Sequence, residues 1–300
     1  SIYGGLGTAL SMKGVYSDAI VELRKALSIN PADLVARHEL GQALLKTGSI
    51  AEGIAELKKV VDKSPDYRAA RLHLAEALIS DHKPEEAIRE FGIMLDSDPR
   101  DLAAITGLGN AYKASRRLDD AIREYKRALD LRHDDYRARS SLANAYVDKG
   151  MYERAIHEFR QALLLKPDDP AAHGHFGILL LMSGDLYAAS LELREALRLD
   201  PENCMAHINM GVALLQNGRD PEARTELETA VRINPSHQEA YYYLGFLAER
   251  GNDPGRAIDA YEKFLKYAGN GDRRSRAIRV RLAEIRNTRL NRGHGIRYVA

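Results

Sequence analysis

The 300-residue chain carries 44 Lys plus Arg against 43 Asp plus Glu, is 45% hydrophobic, and holds one cysteine and no tryptophan. That is the composition of a folded, water-soluble chain and not of a disordered one, and its longest apolar run, Phe176 to Met182, falls far short of the roughly 20 residues of a membrane-spanning helix. Cys204 alone allows no internal disulfide and no zinc cluster, and a net charge of +1 argues against a wholly basic nucleic-acid binder.

The chain opens at Ser1-Ile2, already inside a predicted helix, without the charged and apolar regions of a signal peptide. Gly4, Gly5 and Gly7 weaken that first helix, which reads as a frayed terminus or as the continuation of further repeats or a linker. Read alone, the chain leans towards a soluble, cytoplasmic protein, with any targeting or anchoring segment lying outside it. From there one pattern recurs every 34 residues. Pro31, Pro65, Pro99, Pro167, Pro201 and Pro235 share a register in which His133 fills the missing place. A second column holds Ala19, Gly53, Ala87, Ala121, Ala155, Ala189, Ala223 and Ala257. A third holds Gly or Ala from Gly7 to Gly245, and a large apolar residue precedes each of its members.

Repeat five shows what one unit dictates. Leu142, Ala143 and Tyr146 are spaced as one face of a helix over 136–149, and Gly150 ends it as a residue that tolerates positive φ. Ala155, Ile156, Phe159, Ala162 and Leu163 form the stripe of a second helix, stopped by Pro167. Asp168 and Asp169 then suit the start of the next helix. Small residues in the Gly/Ala columns let helices approach closely, and the large neighbours fill the gaps. After the last repeat, Ile278, Leu282 and Ile285 give 272–290 a short apolar stripe among arginines, as a capping helix requires.

With Leu108, Gly109, Tyr112, Ala121, Tyr125 and Ala128 in repeat four, and Tyr241, Leu244, Gly245, Ala257 and Tyr261 in repeat eight, the chain resembles the tetratricopeptide repeat (TPR) family over about residues 1–269. Departures are Gly53 and Val60 in repeat two, His133 for Pro, and a loop after Gly251 that reads as one residue longer. The resemblance implies an all-α, right-handed superhelical solenoid of eight helix-turn-helix repeats over 1–271, followed by an Arg-rich capping helix and tail over 272–300.

Enzyme chemistry has no foothold in the sequence. Gly4-Gly5-Leu6-Gly7 and Gly107-Leu108-Gly109 lie within helices, with no preceding strand and no Lys-Ser/Thr, so neither is a phosphate loop. His173 and His175 are two residues apart on a helix, about 200° around its axis, and cannot chelate one metal. His173 and His207 take the column where the family has a bulky packing residue. The Asp pairs at 119–120, 134–135 and 168–169 recur near helix starts and read as caps. No cofactor or metal is expected, and Cys204 has no neighbour that would activate it.

By the resemblance, ligands lie on the inner face, lined by the first helix of each repeat. Its ninth-position column runs Thr8, Gln42, Glu76, Asn110, Asn144, Ile178, Val212, Phe246, changing from polar to apolar midway. The candidate partner-binding residues are Asn110, Lys113, Arg137 and Asn144 on the polar side. On the apolar side they are Ile178, Leu181, Ile208, Val212, Leu215, Tyr242 and Phe246, with Met182 beside them and His175 and Asn209 as hydrogen-bonding groups. Asn110 and Asn144 could each pair with a peptide amide through donor and acceptor together. Two binding modes of the family find no match. The carboxylate clamp would need its basic and Asn residues where Ser140, His175, Met205 and Asn209 stand, or where Thr106, Ser141, Ala171 and His175 stand. The asparagine ladder of the O-linked N-acetylglucosamine transferase would need Asn in the column Gly5, Glu39, His73, Gly107, Ser141, His175, Asn209, Tyr243.

The expected function is therefore a non-catalytic scaffold or adaptor holding an extended or helical protein segment in its groove. The alternatives are the substrate-recognition arm of a larger enzyme, such as a glycosyltransferase, or a structural subunit bound through the convex face or the ends. Repeats four and five carry net positive charge and repeats six and seven net negative charge, so the expected partner has an acidic or polar part and an apolar anchor. Residues 272–300 hold nine Arg and two acids, a net +7, and Arg273, Arg274 and Arg276 are the candidates for an acidic partner at that end.

Overall fold

The computed structural model describes residues 2–269 and 272–294, with side chains to 287, and among them the periodicity is realised as seventeen helices and no strand. Residues 1, 270–271 and 295–300, the last of them in the expected tail, lie outside the described residues. Packing divides the chain into two units, 1–161 and 162–300. The first unit holds α1 (Ile2–Met12), α2 (Tyr16–Ile29), α3 (Leu34–Lys46), α4 (Ile50–Lys63), α5 (Arg68–Ser80), α6 (Pro84–Ser97), α7 (Leu102–Ala114), α8 (Leu118–Leu131) and α9 (Tyr136–Asp148); α10 (Tyr152–Leu165) carries the division. The second holds α11 (Pro170–Ser183), α12 (Leu186–Leu199), α13 (Cys204–Gln216), α14 (Asp220–Ile233), α15 (Gln238–Arg250), α16 (Pro254–Tyr267) and α17 (Arg274–His294). Within each unit the first helix of a pair packs on its second helix, and first helices of successive pairs touch in a row.

The close approach within a pair is written into two columns. Leu23, Leu57, Phe91, Tyr125, Phe159, Leu193, Leu227 and Tyr261 are all buried at the centre of their repeats. A methyl group added at Gly41, Gly177 or Gly211 would strike Leu57, Leu193 or Leu227, so glycine sets the distance between the paired helices. Gly53, a departure from the family pattern, has the same cause: its missing side chain makes room for Leu45 and for the carbonyl of Gly41. First helices start from side-chain caps, with Asp33, Asp101, Asp135, Asp169 and Asn203 accepting backbone N–H groups at 2.9–3.3 Å.

The turn inside every pair passes through one residue in the left-handed region. Five repeats place Gly there (Gly14, Gly48, Gly150, Gly184 and Gly218), and three place His82, Arg116 or Asn252 at φ 53–63°. Asn252 keeps the register of the other seven turns, and α16 begins where the other second helices begin. The loop after Gly251 is thus of ordinary length. What the sequence shows there is an asparagine, a residue that enters this region more readily than most, in the glycine's place.

A charged clasp ties most repeats to the one before. Arg37 donates to Glu56 at 2.6 Å and to the Pro31 carbonyl at 2.7 Å. Arg71 joins Glu90 and the Pro65 carbonyl in the same way, and Arg139 joins Glu158 and the His133 carbonyl, so His133 keeps the part that matters. In the second unit His173 replaces arginine, with Nδ1 2.7 Å from Glu192 and Nε2 2.9 Å from the Pro167 carbonyl. His207 repeats this with Glu226 at 2.6 Å and the Pro201 carbonyl at 3.0 Å. Carboxylate and carbonyl oxygens only accept, so each of these rings donates from both nitrogens and is an imidazolium. The two histidines are therefore ion-pairing residues, and not simply packing ones. Repeat four has Ile105 in this column; there Arg127, from the second helix, reaches both Glu124 and the Pro99 carbonyl.

The last helix covers the end of the second unit. Ile278, Leu282 and Ile285 are at most 9% exposed, against Ala257, Tyr261 and Phe264, and Arg281 reaches Glu249 at 2.7 Å. Each aliphatic side chain buried this way contributes about 1.5–3 kcal/mol. Removing residues 272–300 is expected to lower the thermal midpoint of the second unit and its solubility. An unchanged midpoint in thermal unfolding would rule out a covering role for α17.

Candidate functional site

In the first unit the polar candidates lie on the row of first helices, though not all are free. The buried Tyr125 hydroxyl donates to Asn110 Oδ1 at 2.7 Å, and burial pushes the Tyr125 phenol well above its ordinary range. With Oδ1 engaged, Asn110 turns its NH2 outward, so it faces the groove as a donor more than as a donor–acceptor pair. Below it a cleft of about 550 Å³ opens between α5, α7 and the start of α9, with Thr106, Gly107, Asn110, Arg132 and Arg137 in its lining. Arg137 is exposed with its Nε 3.0 Å from the Tyr136 hydroxyl; Lys113 and Asn144 are half-buried.

A pair of histidines that the sequence reading passed over lies on the same row. His38 on α3 is 5% exposed, its Nε2 2.9 Å from His73 Nδ1 on α5 and 2.9 Å from Gln42 Nε2. Burial first, and the neighbouring His73 second, hold the His38 pKa down to about 4. His38 is thus neutral near pH 7. The signal lay in adjacent positions of successive repeats, fifth and sixth, which meet across two helices and not along one.

In the second unit α11, α13 and α15 form the row. Phe246 is 44% exposed, Met182 53% and Met205 45%, while Ile178, Leu181 and Val212 are half-buried beside them. Ile208, at 1% exposed, and Leu215, at 7%, belong to the core between the helices, so they cannot serve as lining. Asn209 spends its Nδ2 on the Met205 carbonyl at 2.8 Å, and His175 is exposed. Tyr242 is half-buried under the Arg274 guanidinium, 5.0 Å above its ring.

That contact removes Arg274 from the candidate basic surface: it also reaches Asp272 at 3.1 Å and lies over Phe264. Arg273 and Arg276 are exposed. Asp135 and Asp169 are helix caps as the sequence implied, while Asp119 and Asp120 stand in the first turn of α8 and pair with Lys149, Arg117 and Arg123. The Cys204 thiol is pushed up by burial and faces the Ala230 carbonyl at 3.5 Å, an environment without activation. Among the described residues, no three His, Cys, Asp or Glu side chains are grouped to hold a metal, and no helix is long and apolar enough to cross a membrane.

Family models described as tetratricopeptide repeat match residues 48–108, 78–145 and 112–175, and then 175–236 and 208–273. No curated protein matches the chain. Among solved structures, yeast Tom70 superposes with a TM-score of 0.71 at 16% identity, over 95% of this chain and 62% of that one. A chain of the APC/C hetero-tetramer Cut9–Hcn1 gives 0.69 at 18% identity, over 90% of this chain and 52% of that one. YrrB, described as a TPR protein with an unusual peptide-binding site, gives 0.50 at 22% identity over 60% of this chain and 93% of that one. This chain thus spans between half and two thirds of the Cut9–Hcn1 and Tom70 chains, and at these identities the likeness is one of fold. Repeat register, helix pairing and the matched segments from residue 48 to 273 agree: the chain belongs to the tetratricopeptide repeat family.

Proposed function

We propose that the chain is a non-catalytic scaffold whose second unit grips an apolar segment of a protein partner on the row formed by α11, α13 and α15. The observation that carries this reading is the apolar surface left on that row by Ile178, Met182, Met205, Val212 and Phe246, of which Ile178, Val212 and Phe246 stand where the first unit carries Thr8, Gln42, Glu76, Asn110 and Asn144. Single exposed apolar residues are ordinary on a soluble protein, but several on one row are the mark of a partner site. Methionines at its edge suit a surface that adapts to an extended or a helical segment. YrrB, described as having an unusual peptide-binding site, supplies a precedent for peptide binding by a protein of this fold.

Apolar anchors supply most of the affinity at such contacts, whereas exposed charges chiefly set orientation and association rate. Phe246→Ala and Val212→Asp are therefore expected to weaken binding of a recovered partner by about 1–2 kcal/mol more than Lys113→Ala does. Circular dichroism and thermal unfolding of each variant separate this from damage to packing. If both variants fold as the parent does and bind every partner undiminished, the apolar row is not the site.

A further inference from the structure

A second apolar surface, apart from the row in the second unit, lies on α1. Ile2, Gly5, Leu6, Ala9 and Met12 are all exposed, Ile2 at 89% and Met12 at 86%. Spacings of three and four residues put Ile2, Gly5, Ala9 and Met12 on one stripe of the helix, with Leu6 at its flank. These are not positions that ordinarily meet water. In the seven later repeats the place of Ile2 is held by alanine, from Ala36 to Ala240, at most 3% exposed. The place of Ala9 is held by Ala or Leu, from Ala43 to Leu247, at most 4% exposed. In repeat two the cover is the second helix of the repeat before: Ala36, Leu40 and Ala43 pack with Ala19, Leu23 and Ala26 of α2. The stripe on α1 is therefore built as a face that joins another helix.

What joins it is read from charge and size. α1 carries no charged side chain, so the stripe offers an acidic or basic partner nothing to meet. A further helix of the repeat's own kind does not fit either. Each stacked repeat holds Ala where repeat one holds Ile2, and the bulk of isoleucine would overpack that contact. We propose that the stripe pairs with the same stripe of a second copy of this chain, antiparallel about a two-fold axis. Its sizes read alike from both ends: Ile2 and Met12 are large, Gly5 and Ala9 between them small. Turned end for end, Gly5 meets Ala9 of the second copy where the helices cross, and Ile2 meets Met12 of the second copy where they diverge. An uncharged face meets its own copy without like-charge repulsion. Gly5 supports this pairing in its own right. A methyl group at Gly7 would strike Leu23, so the fold of one copy needs that glycine. A methyl group at Gly5 would meet nothing from the rest of the chain within 4 Å, although glycine weakens the helix. The close crossing gives that glycine its use.

The test is sedimentation velocity of the full chain over a concentration series, in which a monomer–dimer equilibrium is expected. Gly5→Glu and Ala9→Lys, each alone, should weaken dimerisation about tenfold or more, because each buries an unpaired charge at the crossing. Mixing the two variants should restore the dimer, since the acid introduced in one copy then faces the base introduced in the other. Circular dichroism should show unchanged helical content in both, as both positions are exposed. Phe246→Ala should leave the dimer intact, which keeps this contact apart from the apolar row. A monomer at every concentration would overturn the proposal. So would a dimer that survives both single variants, a mixture no tighter than its components, or loss of the dimer in Phe246→Ala.

Discussion

Amide hydrogen exchange followed from about pH 8 to about pH 5 is expected to show helices α3 and α5 losing protection while α11 to α14 gain it. The opposite signs come from two kinds of histidine. His38 is buried among His73 and Gln42, and its folded pKa of about 4 lies below the unfolded value of about 6.5. Its contribution is complete above the unfolded value and is lost as pH falls towards 4, an effect on the order of 2 kcal/mol. For His173, burial opposes the charge, but the bonds to Glu192 and the Pro167 carbonyl outweigh it and raise the pKa. For His207 the bond to Glu226 is the leading cause and burial the opposing one. These two contributions are complete below about pH 6.5 and are lost as pH rises through the raised folded values. Replacing both by arginine, which makes the same contacts at Arg37 and Arg139, is expected to abolish the alkaline loss in the second unit. Parallel changes of protection in the two units would refute the assignment.

Gly109→Ala is expected to lower stability by about 2 kcal/mol, although alanine favours a helix over glycine by nearly 1 kcal/mol. The added methyl would stand 2.6 Å from the Tyr125 ring, and that ring cannot retreat, because its hydroxyl is fixed on Asn110. Repeats three and five place Ala75 with Phe91 and Ala143 with Phe159 at these two positions, whereas repeats four and eight pair glycine with tyrosine. Phenylalanine has no such tether. The double variant Gly109→Ala with Tyr125→Phe should therefore recover about 1 kcal/mol relative to the sum of the single changes. Strict additivity in denaturant unfolding would show that the hydroxyl does not fix the ring.

The fold was legible because the contacts that build it lie within one repeat or between neighbours, so each leaves a trace at the 34-residue period. Gly109, Tyr125 and Ala121 declare a pair of close helices without knowledge of anything distant. The site was legible only in outline. The change from polar to apolar residues along the ninth column placed Val212 and Phe246 on the inner row, yet the same reasoning put Ile208 and Leu215 beside them. Position on a helix tells which way a side chain leaves the backbone, but not how far the neighbouring helix overlaps it. The clasp was written in the sequence as well. Glu56, Glu90, Glu158, Glu192 and Glu226 keep one register, opposite Arg37, Arg71, Arg139, His173 and His207. A column that changes from arginine to histidine reads as variable size until the acceptors on both sides are seen. Arg274 illustrates the converse: composition marked it as free charge, and only its position over Tyr242 and Phe264 shows it to be part of the covering helix.

The clasp of repeat four also bears on how such a chain can be inherited. Its acceptors, Glu124 and the Pro99 carbonyl, are those of the other repeats, but the donor Arg127 sits on the second helix, and the first helix has only Ile105. A duplication or exchange that moves a whole repeat carries donor and carboxylate together and leaves the clasp intact. A crossover falling in the turn between the two helices also keeps the clasp where both parents carry the donor on the first helix, and loses it where repeat four supplies only the first helix. The first helix of repeat four joined to the second helix of repeat five would bring Ile105 opposite Glu158, with Gln161 where Arg127 had been, and no cation to join them. Repeat four is therefore the repeat whose first helix must be inherited with its own second helix, whereas the first helices that carry Arg or His can be exchanged within the turn without losing the ion pair.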